Sequence, residues 1–144
     1  MIIKIKRFTQ KAKIPTQASN GSVGYDMYVD SDKEITVFPH ETVMIKSGIG
    51  MEIPEGYGGF IFPRSGLSTK KGLRLSNCVG VIDSDYRGEI GLPIHNDSEF
   101  ARIIKPYDRV AQIVIQKCED VCFMEVDDLS TTERADGGFG HSGR

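Results

Sequence analysis

Along the chain, apolar side chains either alternate strictly with polar ones or form short solid blocks. They do so at residues 2–5, 25–29, 35–38, 42–45, 48–53, 59–62, 78–82, 89–94, 101–104, 111–116 and 122–126. A period of two sends successive side chains to opposite faces of a strand, and a short apolar block suits a strand buried on both faces. Each of these segments is therefore predicted to be a β-strand. Only residues 65–71, SGLSTKK, are predicted to be helical, for about two turns. Pro39, Pro54, Pro93 and Pro106 are expected at strand ends or edges, where a missing N–H costs little. No period of 20–50 residues repeats and no low-complexity tract interrupts the pattern, which excludes solenoids and propellers.

Composition strengthens the β reading. Ile and Val together number 26 while Leu and Ala number 10, and β-branched side chains lose rotamer freedom in a helix but pack well on a pleated surface. Sixteen Gly and six Pro supply the punctuation of many short strands joined by tight turns. The expected fold class is all-β. A chain of 144 residues fits one domain, 1–144, with enough buried surface for a core without staples. Residues 130–144, STTERADGGFGHSGR, are polar and glycine-rich, and are expected to form a flexible C-terminal arm that orders only against a ligand or a neighbouring subunit.

Charge and cysteine usage narrow the function. Eighteen Lys plus Arg against 20 Asp plus Glu give a net charge of -2, which argues against a duplex nucleic-acid binder with a basic face. Cys78, Cys118 and Cys122 are odd in number and lack a CxxC spacing, so neither a disulfide framework nor a zinc site is expected, and they read as small core or interface fillers. The opening MIIKIKRF lacks the apolar region of a signal peptide, and no apolar run is long enough to span a bilayer. The expectation is a soluble, reducing, cytoplasmic setting, or the host cytosol or nucleus for a phage or viral chain.

Three segments carry candidate chemistry. In Phe62-Pro63-Arg64-Ser65-Gly66-Leu67-Ser68 a strand end meets a helix start. The guanidinium, the hydroxyl and a close backbone approach at glycine can together hold a di- or triphosphate. The same residues also read as a capped turn with a surface arginine. In Gly80-Val81-Ile82-Asp83-Ser84-Asp85, Asp83 and Asp85 are two apart and end an apolar run, placed to orient a water or simply to be solvated. In the tail, Arg134 and Phe139 sit among glycines and can fold over a nucleotide or remain disordered. Taken together, a phosphate cradle, a water-activating carboxylate and an aromatic cover suggest nucleotide hydrolysis.

Taken in order, Gly24-Tyr25-Asp26-Met27-Tyr28, Pro63-Arg64-Ser65-Gly66-Leu67-Ser68, the run from Gly80 to Ile90 (GVIDSDYRGEI), Asp108-Arg109-Val110-Ala111-Gln112 and Arg134-Ala135-Asp136-Gly137-Gly138-Phe139-Gly140 resemble the five motifs of the trimeric deoxyuridine triphosphatases. The resemblance spans residues 24–143. It implies a jelly-roll-like β-barrel (β-clip), a homotrimer with active sites shared between subunits, and Mg2+-assisted hydrolysis of dUTP to dUMP and pyrophosphate. That activity limits uracil incorporation into DNA and supplies dUMP for thymidylate synthesis. On the matching positions Asp83 is implied as the general base for the water that attacks the α-phosphorus. Asn77, the backbone of Gly80, Val81, Ile82 and Asp83, and Gly91 are implied in base and sugar binding, with Tyr86 against the deoxyribose. Arg64, Ser65, Gly66 and Gln112 are implied on the phosphates and Asp26 on the metal through waters. Arg134, Phe139, Gly140, His141 and Ser142 are implied as tail contacts delivered by another subunit.

The fifth motif departs from the family pattern Arg-Gly-Ser-Gly-Gly-Phe-Gly-Ser-Thr-Gly. Ala135 and Asp136 stand for Gly-Ser, and His141 and Ser142 for Ser-Thr. A carboxylate at Asp136 beside a triphosphate is expected to weaken closure of the tail. A dCTP deaminase, or a bifunctional deaminase and diphosphatase, is the nearest alternative, against which the Asp-Ser-Asp-Tyr-Arg-Gly run counts. A regulatory nucleotide-binding trimer is the alternative of another class. An oligonucleotide-binding barrel is disfavoured, because basic residues are dispersed, aromatics make up only 8% and tryptophan is absent.

Overall fold

The structure, a computed structural model, describes residues 1–138. Twelve strands and one helix follow in the order β1 (Lys4–Arg7), β2 (Thr16–Gln17), β3 (Tyr25–Tyr28), β4 (Ile35–Val37), β5 (Thr42–Lys46), β6 (Ile49–Glu52), β7 (Tyr57–Pro63), α1 (Ser65–Lys71), β8 (Leu73–Leu75), β9 (Gly80–Ile82), β10 (Gly91–Asn96), β11 (Arg102–Ile104) and β12 (Arg109–Lys117). All strand pairs are antiparallel. They form four sheets, β1-β6, β5-β10-β8, β11-β4 and the five-stranded β2-β3-β12-β7-β9. The architecture is the expected all-β, jelly-roll-like one.

One apolar core lies between the sheets. Met27, Ile45, Ile61, Leu73, Leu92, Ile94, Ile104 and Ile113, drawn from seven different strands, are each at most 2% exposed. Complete burial of a Leu or Ile side chain stabilises by about 1.5–3 kcal/mol, so this contact set dominates the fold's stability. Asn96, also fully buried, ties the core to its surroundings: its Nδ2 donates to the Val37 and Phe100 carbonyls at 2.9 and 2.8 Å. Every buried polar side-chain atom among the described residues has a partner.

Three expectations are corrected. Residues 122–126 form no strand: regular structure ends at Lys117, and Val121, Phe123, Met124, Val126 and Leu129 are exposed. Their alternating pattern has strand character, but no sheet of the same chain pairs with it. Cys78, Cys118 and Cys122 are free and exposed rather than core fillers. Pro93 lies inside β10, the central strand of its sheet, rather than at an edge. Its carbonyl accepts from the Ser76 amide at 2.8 Å, just beyond the end of β8, so its missing N–H falls where the ladder has already stopped.

Candidate active site

Strand register assembles the first cluster. Gln112, on the central β12, lies opposite Asp26 on β3 and opposite Phe62 on β7. Directly opposed residues share a face. Arg64 is two residues past Phe62 with an extended backbone (φ −86, ψ 128), so it returns to that same face. Arg109 and Gln112 are three apart and would point to opposite faces of a regular strand. A β-bulge between Arg109 and Ala111 adds one residue, buries Val110 and Ala111 consecutively and restores Arg109 to the cluster.

The resulting ion-pair network is short and partly buried. Arg64 Nε donates to Asp26 Oδ1 at 2.8 Å and Arg109 Nη1 to Asp26 Oδ2 at 3.1 Å, while Arg64 Nη1 donates to the Arg109 carbonyl at 3.2 Å. Asp26 is 5% exposed. Gln112 Nε2 donates to the Pro63 carbonyl at 3.0 Å, and a Cβ at Gly24 would displace the Gln112 carboxamide from this position. Asp26, Arg64, Ser65, Gly66 and Gln112 line a cavity of about 340 Å³. The start of α1 carries no side-chain cap, so the capped-turn reading fails at this point.

A second cluster is built mostly from backbone. Val79 N donates to the Asn77 carbonyl at 2.7 Å across a three-residue turn whose central residue, Cys78, has φ +64. Non-glycine residues adopt that conformation at a cost, and here it aims Asn77 beside β9. β9 is the outer strand of its sheet and leaves one row of N–H and C=O groups unpaired within the chain. The chain then turns at residues 83–86, with Tyr86 N donating to the Asp83 carbonyl at 3.2 Å. Tyr86 Oη donates to the Glu89 carbonyl at 2.9 Å, and a side chain at Gly88 would collide with the Tyr86 ring. Asn77, Val81, Ile82, Asp83, Tyr86 and Gly91 line a cavity of about 420 Å³. Gly80 is buried behind it, against Ile61 and Asn77.

The two cavities have no lining residue in common. The β7–β9 register sets Ile82 against Gly59, hence Asp83 level with Gly58. Pro63, at the other end of β7, is five residues further along, roughly 16 Å at a rise of about 3.3 Å per residue. One chain therefore presents two separate cavities facing different regions of its surface. Arg134 lines neither, and its Nε donates to the Gly137 carbonyl at 2.8 Å within the chain's own turn. Phe139, Gly140, His141 and Ser142 lie outside the described residues.

Two residues in or beside the first cavity escaped the sequence reading. Arg109 holds Asp26, and the signal was the bulge that its Val-Ala pair of buried neighbours implies. Lys71 lines the cavity from the last turn of α1, four residues after Leu67 and therefore on the same helix face.

The chain resembles proteins of one kind throughout. The dUTPase family profile matches residues 10–143. The deoxyuridine 5'-triphosphate nucleotidohydrolase of Finegoldia magna is 48% identical over 130 residues, covering 90% of this chain and 91% of the relative. That of Syntrophotalea carbinolica is 42% identical over 143 residues, covering 98% and 96%. The dUTPase of Staphylococcus bacteriophage 80alpha, solved as a point mutant with dUpNHpp, superposes with a TM-score of 0.91 at 27% identity, covering 99% of both chains. On the motifs, the fold and these relatives together, the chain belongs to the dUTPase family.

Proposed function

We propose that the protein hydrolyses dUTP to dUMP and pyrophosphate at sites that join the two half-sites of different copies of the chain. The observation that carries this is the separation just described: a cavity bearing Arg64 and Lys71 at one end of β7 and a cavity lined by β9, Asn77, Tyr86 and the exposed Asp83 at the other. A nucleoside triphosphate needs both at once, which favours sites shared between copies of the chain; that there are three copies is what the resemblance to the trimeric deoxyuridine triphosphatases implies. The relatives are named as dUTP hydrolases, which does not favour the deaminase alternative.

In this reading Asp83 accepts a proton from a water, whose oxygen attacks the α-phosphorus as pyrophosphate leaves. The carboxylate is exposed and makes no side-chain hydrogen bond among the described residues, so a water can approach it. A free aspartate is a weak base at neutral pH, and alignment supplies much of the acceleration. The outer groups of β9, with Asn77 and Gly91, read the uracil edge. Cytosine reverses the donor and acceptor at that edge and would leave buried groups unpaired. Tyr86 closes the space a 2'-hydroxyl would need. Arg64, Ser65, Gly66 and Gln112 hold the phosphates.

No group of three or more metal-ligating side chains occurs among the described residues. The single buried carboxylate at the phosphate cavity, Asp26, is the residue that would hold Mg2+, through waters, with Arg64 released to the phosphates. When bound, the ion neutralises phosphate charge and fixes the chain of phosphates for in-line attack. Residues 130–144 serve as the arm that crosses to a neighbouring site, bringing Arg134 to the γ-phosphate and Phe139 to the base, with Gly140, His141 and Ser142 beside it. The whole, 1–144, acts as one domain in the cytoplasm. No helix among the described residues is long and apolar enough to cross a membrane.

The test is pyrophosphate release with Mg2+ from dUTP, dCTP, dTTP and UTP in parallel, for wild type and Asp83→Asn. Release from dUTP alone, abolished by the substitution, is expected. Release from dCTP with formation of dUMP would replace this reading by the bifunctional deaminase.

A further inference from the structure

The charged residues at the first cavity do not balance. Asp26, its one carboxylate, is taken by Arg64 and again by Arg109. Lys71 also lines the cavity and has no carboxylate within 4.0 Å among the described residues. Its position is fixed by the helix end: Gly72 turns left-handed at φ +67, and its amide bonds back to the Leu67 and Ser68 carbonyls, making Lys71 the last helical residue. Leu67 and Lys71 form the cavity-facing stripe of α1, whereas Lys70, one residue earlier, is not part of the lining.

From this we infer that Lys71 is a further substrate-binding residue, an uncompensated ammonium that draws the polyphosphate chain of the nucleotide into the cavity and is indifferent to the base. In the free protein Arg64 is held by Asp26 and the Arg109 carbonyl, so the charge first available to an incoming polyanion is that of Lys71. An exposed ammonium acts mainly through attraction that salt screens, and it acts in the ground state as much as in the transition state. Lys71 therefore governs KM and its salt dependence while leaving kcat in place.

This inference rests on the reading of the cavity as the triphosphate half-site, and the experiment separates the two. Affinities for dUpNHpp with Mg2+ and for dUMP are measured for wild type, Lys71→Ala, Lys71→Glu, Lys70→Ala and Arg64→Ala. Lys71→Ala is expected to weaken dUpNHpp by about fivefold and Lys71→Glu by more than about tenfold, with dUMP within about twofold. Lys70→Ala is the internal control. Both lysines favour the helix C-terminus equally, so a merely structural role would shift the melting temperature of both variants alike and neither affinity. If Arg64→Ala weakens dUpNHpp while Lys71→Ala matches Lys70→Ala, the inference is overturned and the cavity reading stands. If Arg64→Ala is also without effect, both fall.

Discussion

The two half-sites are made of different materials. The phosphate end is a set of side chains locked by ion pairs around a carboxylate that is 5% exposed, on the central strands of the largest sheet. The proposed base end is an outer strand and two tight turns, with the Asp83 carboxylate in solvent and an unpaired row of backbone groups along β9. At the phosphate end, binding groups are also structural groups. At the base end, the proposed chemistry and the stability are carried by different atoms.

The sharpest way to break that contrast is to remove one aspartate from each end. Asp83→Asn is expected to lower kcat by about 10³-fold, the ordinary range for a lost general base, with the urea midpoint unchanged because the side chain holds nothing. Asp26→Ala is expected to lower kcat/KM and also to destabilise by about 2 kcal/mol. It strands two guanidiniums that are only 30% and 47% exposed, and partial solvation reduces the penalty of a fully buried pair. Equal loss of stability in both variants, or in neither, would dissolve the distinction.

The same contrast governs what was legible beforehand. The helix at 65–71 was readable to the residue because Pro63 and Gly72 bracket it, and the strands at 42–45 and 111–116 announced themselves by their β-branched residues, that at 25–29 by its aromatic and apolar ones. β2 and β8 were not readable: Thr16-Gln17 is too short to show a period, Leu73-Arg74-Leu75 lacks the β-branched residues that mark the other short strands, and both are set by their partners Tyr25 and Asp26 or Ile94 to Asn96. Residues 122–126 failed in the opposite sense, carrying a strand pattern that pairs with none of the sheet edges among the described residues. At the site, Asp26, Arg64 and Gln112 were identifiable through motifs. Their meeting depends on register and on a bulge, which are tertiary properties. Arg109 was missed for that reason, and Lys71 because its own segment does not show that the last turn of α1 borders the cavity.

A smaller effect tests the claim that the base end works through backbone. Cys78 is held at φ +64 by the turn that places Asn77. Cys78→Gly removes the Cβ conflict of that conformation, offset in part by the greater freedom of glycine in the unfolded chain, and is expected to stabilise by about 0.5 kcal/mol. The KM for dUTP should stay within about twofold, since the turn is retained. A large rise in KM would mean that the Cys78 side chain itself contributes to the base end.

The smallest expected effect concerns the exposed ion pair behind the base end. Arg74, on β8, donates from Nε and Nη2 to the two Asp97 oxygens at 2.6 and 3.1 Å, tying β8 to the end of β10 just before the Asn77 turn. The hydrogen bond from Arg74, helped by the charges of Arg74, His95 and His40, holds the Asp97 carboxyl below the usual carboxylate range against the opposing effect of desolvation. A carboxyl depressed in the folded state contributes stability that is complete above its unfolded value and is lost as pH falls through the folded one. The stability gap between wild type and Asp97→Asn is therefore expected to be small and constant at neutral pH, to narrow as pH drops below the ordinary carboxylate value, and to vanish in stronger acid, as read from urea midpoints across that range. Activity at neutral pH should be unaffected, because this pair, unlike Asp26 with Arg64, lines neither cavity. A gap that persists unchanged into strong acid would show that Asp97 acts by packing rather than by charge, and the two ends would then differ in where their ion pairs sit but not in what those pairs do.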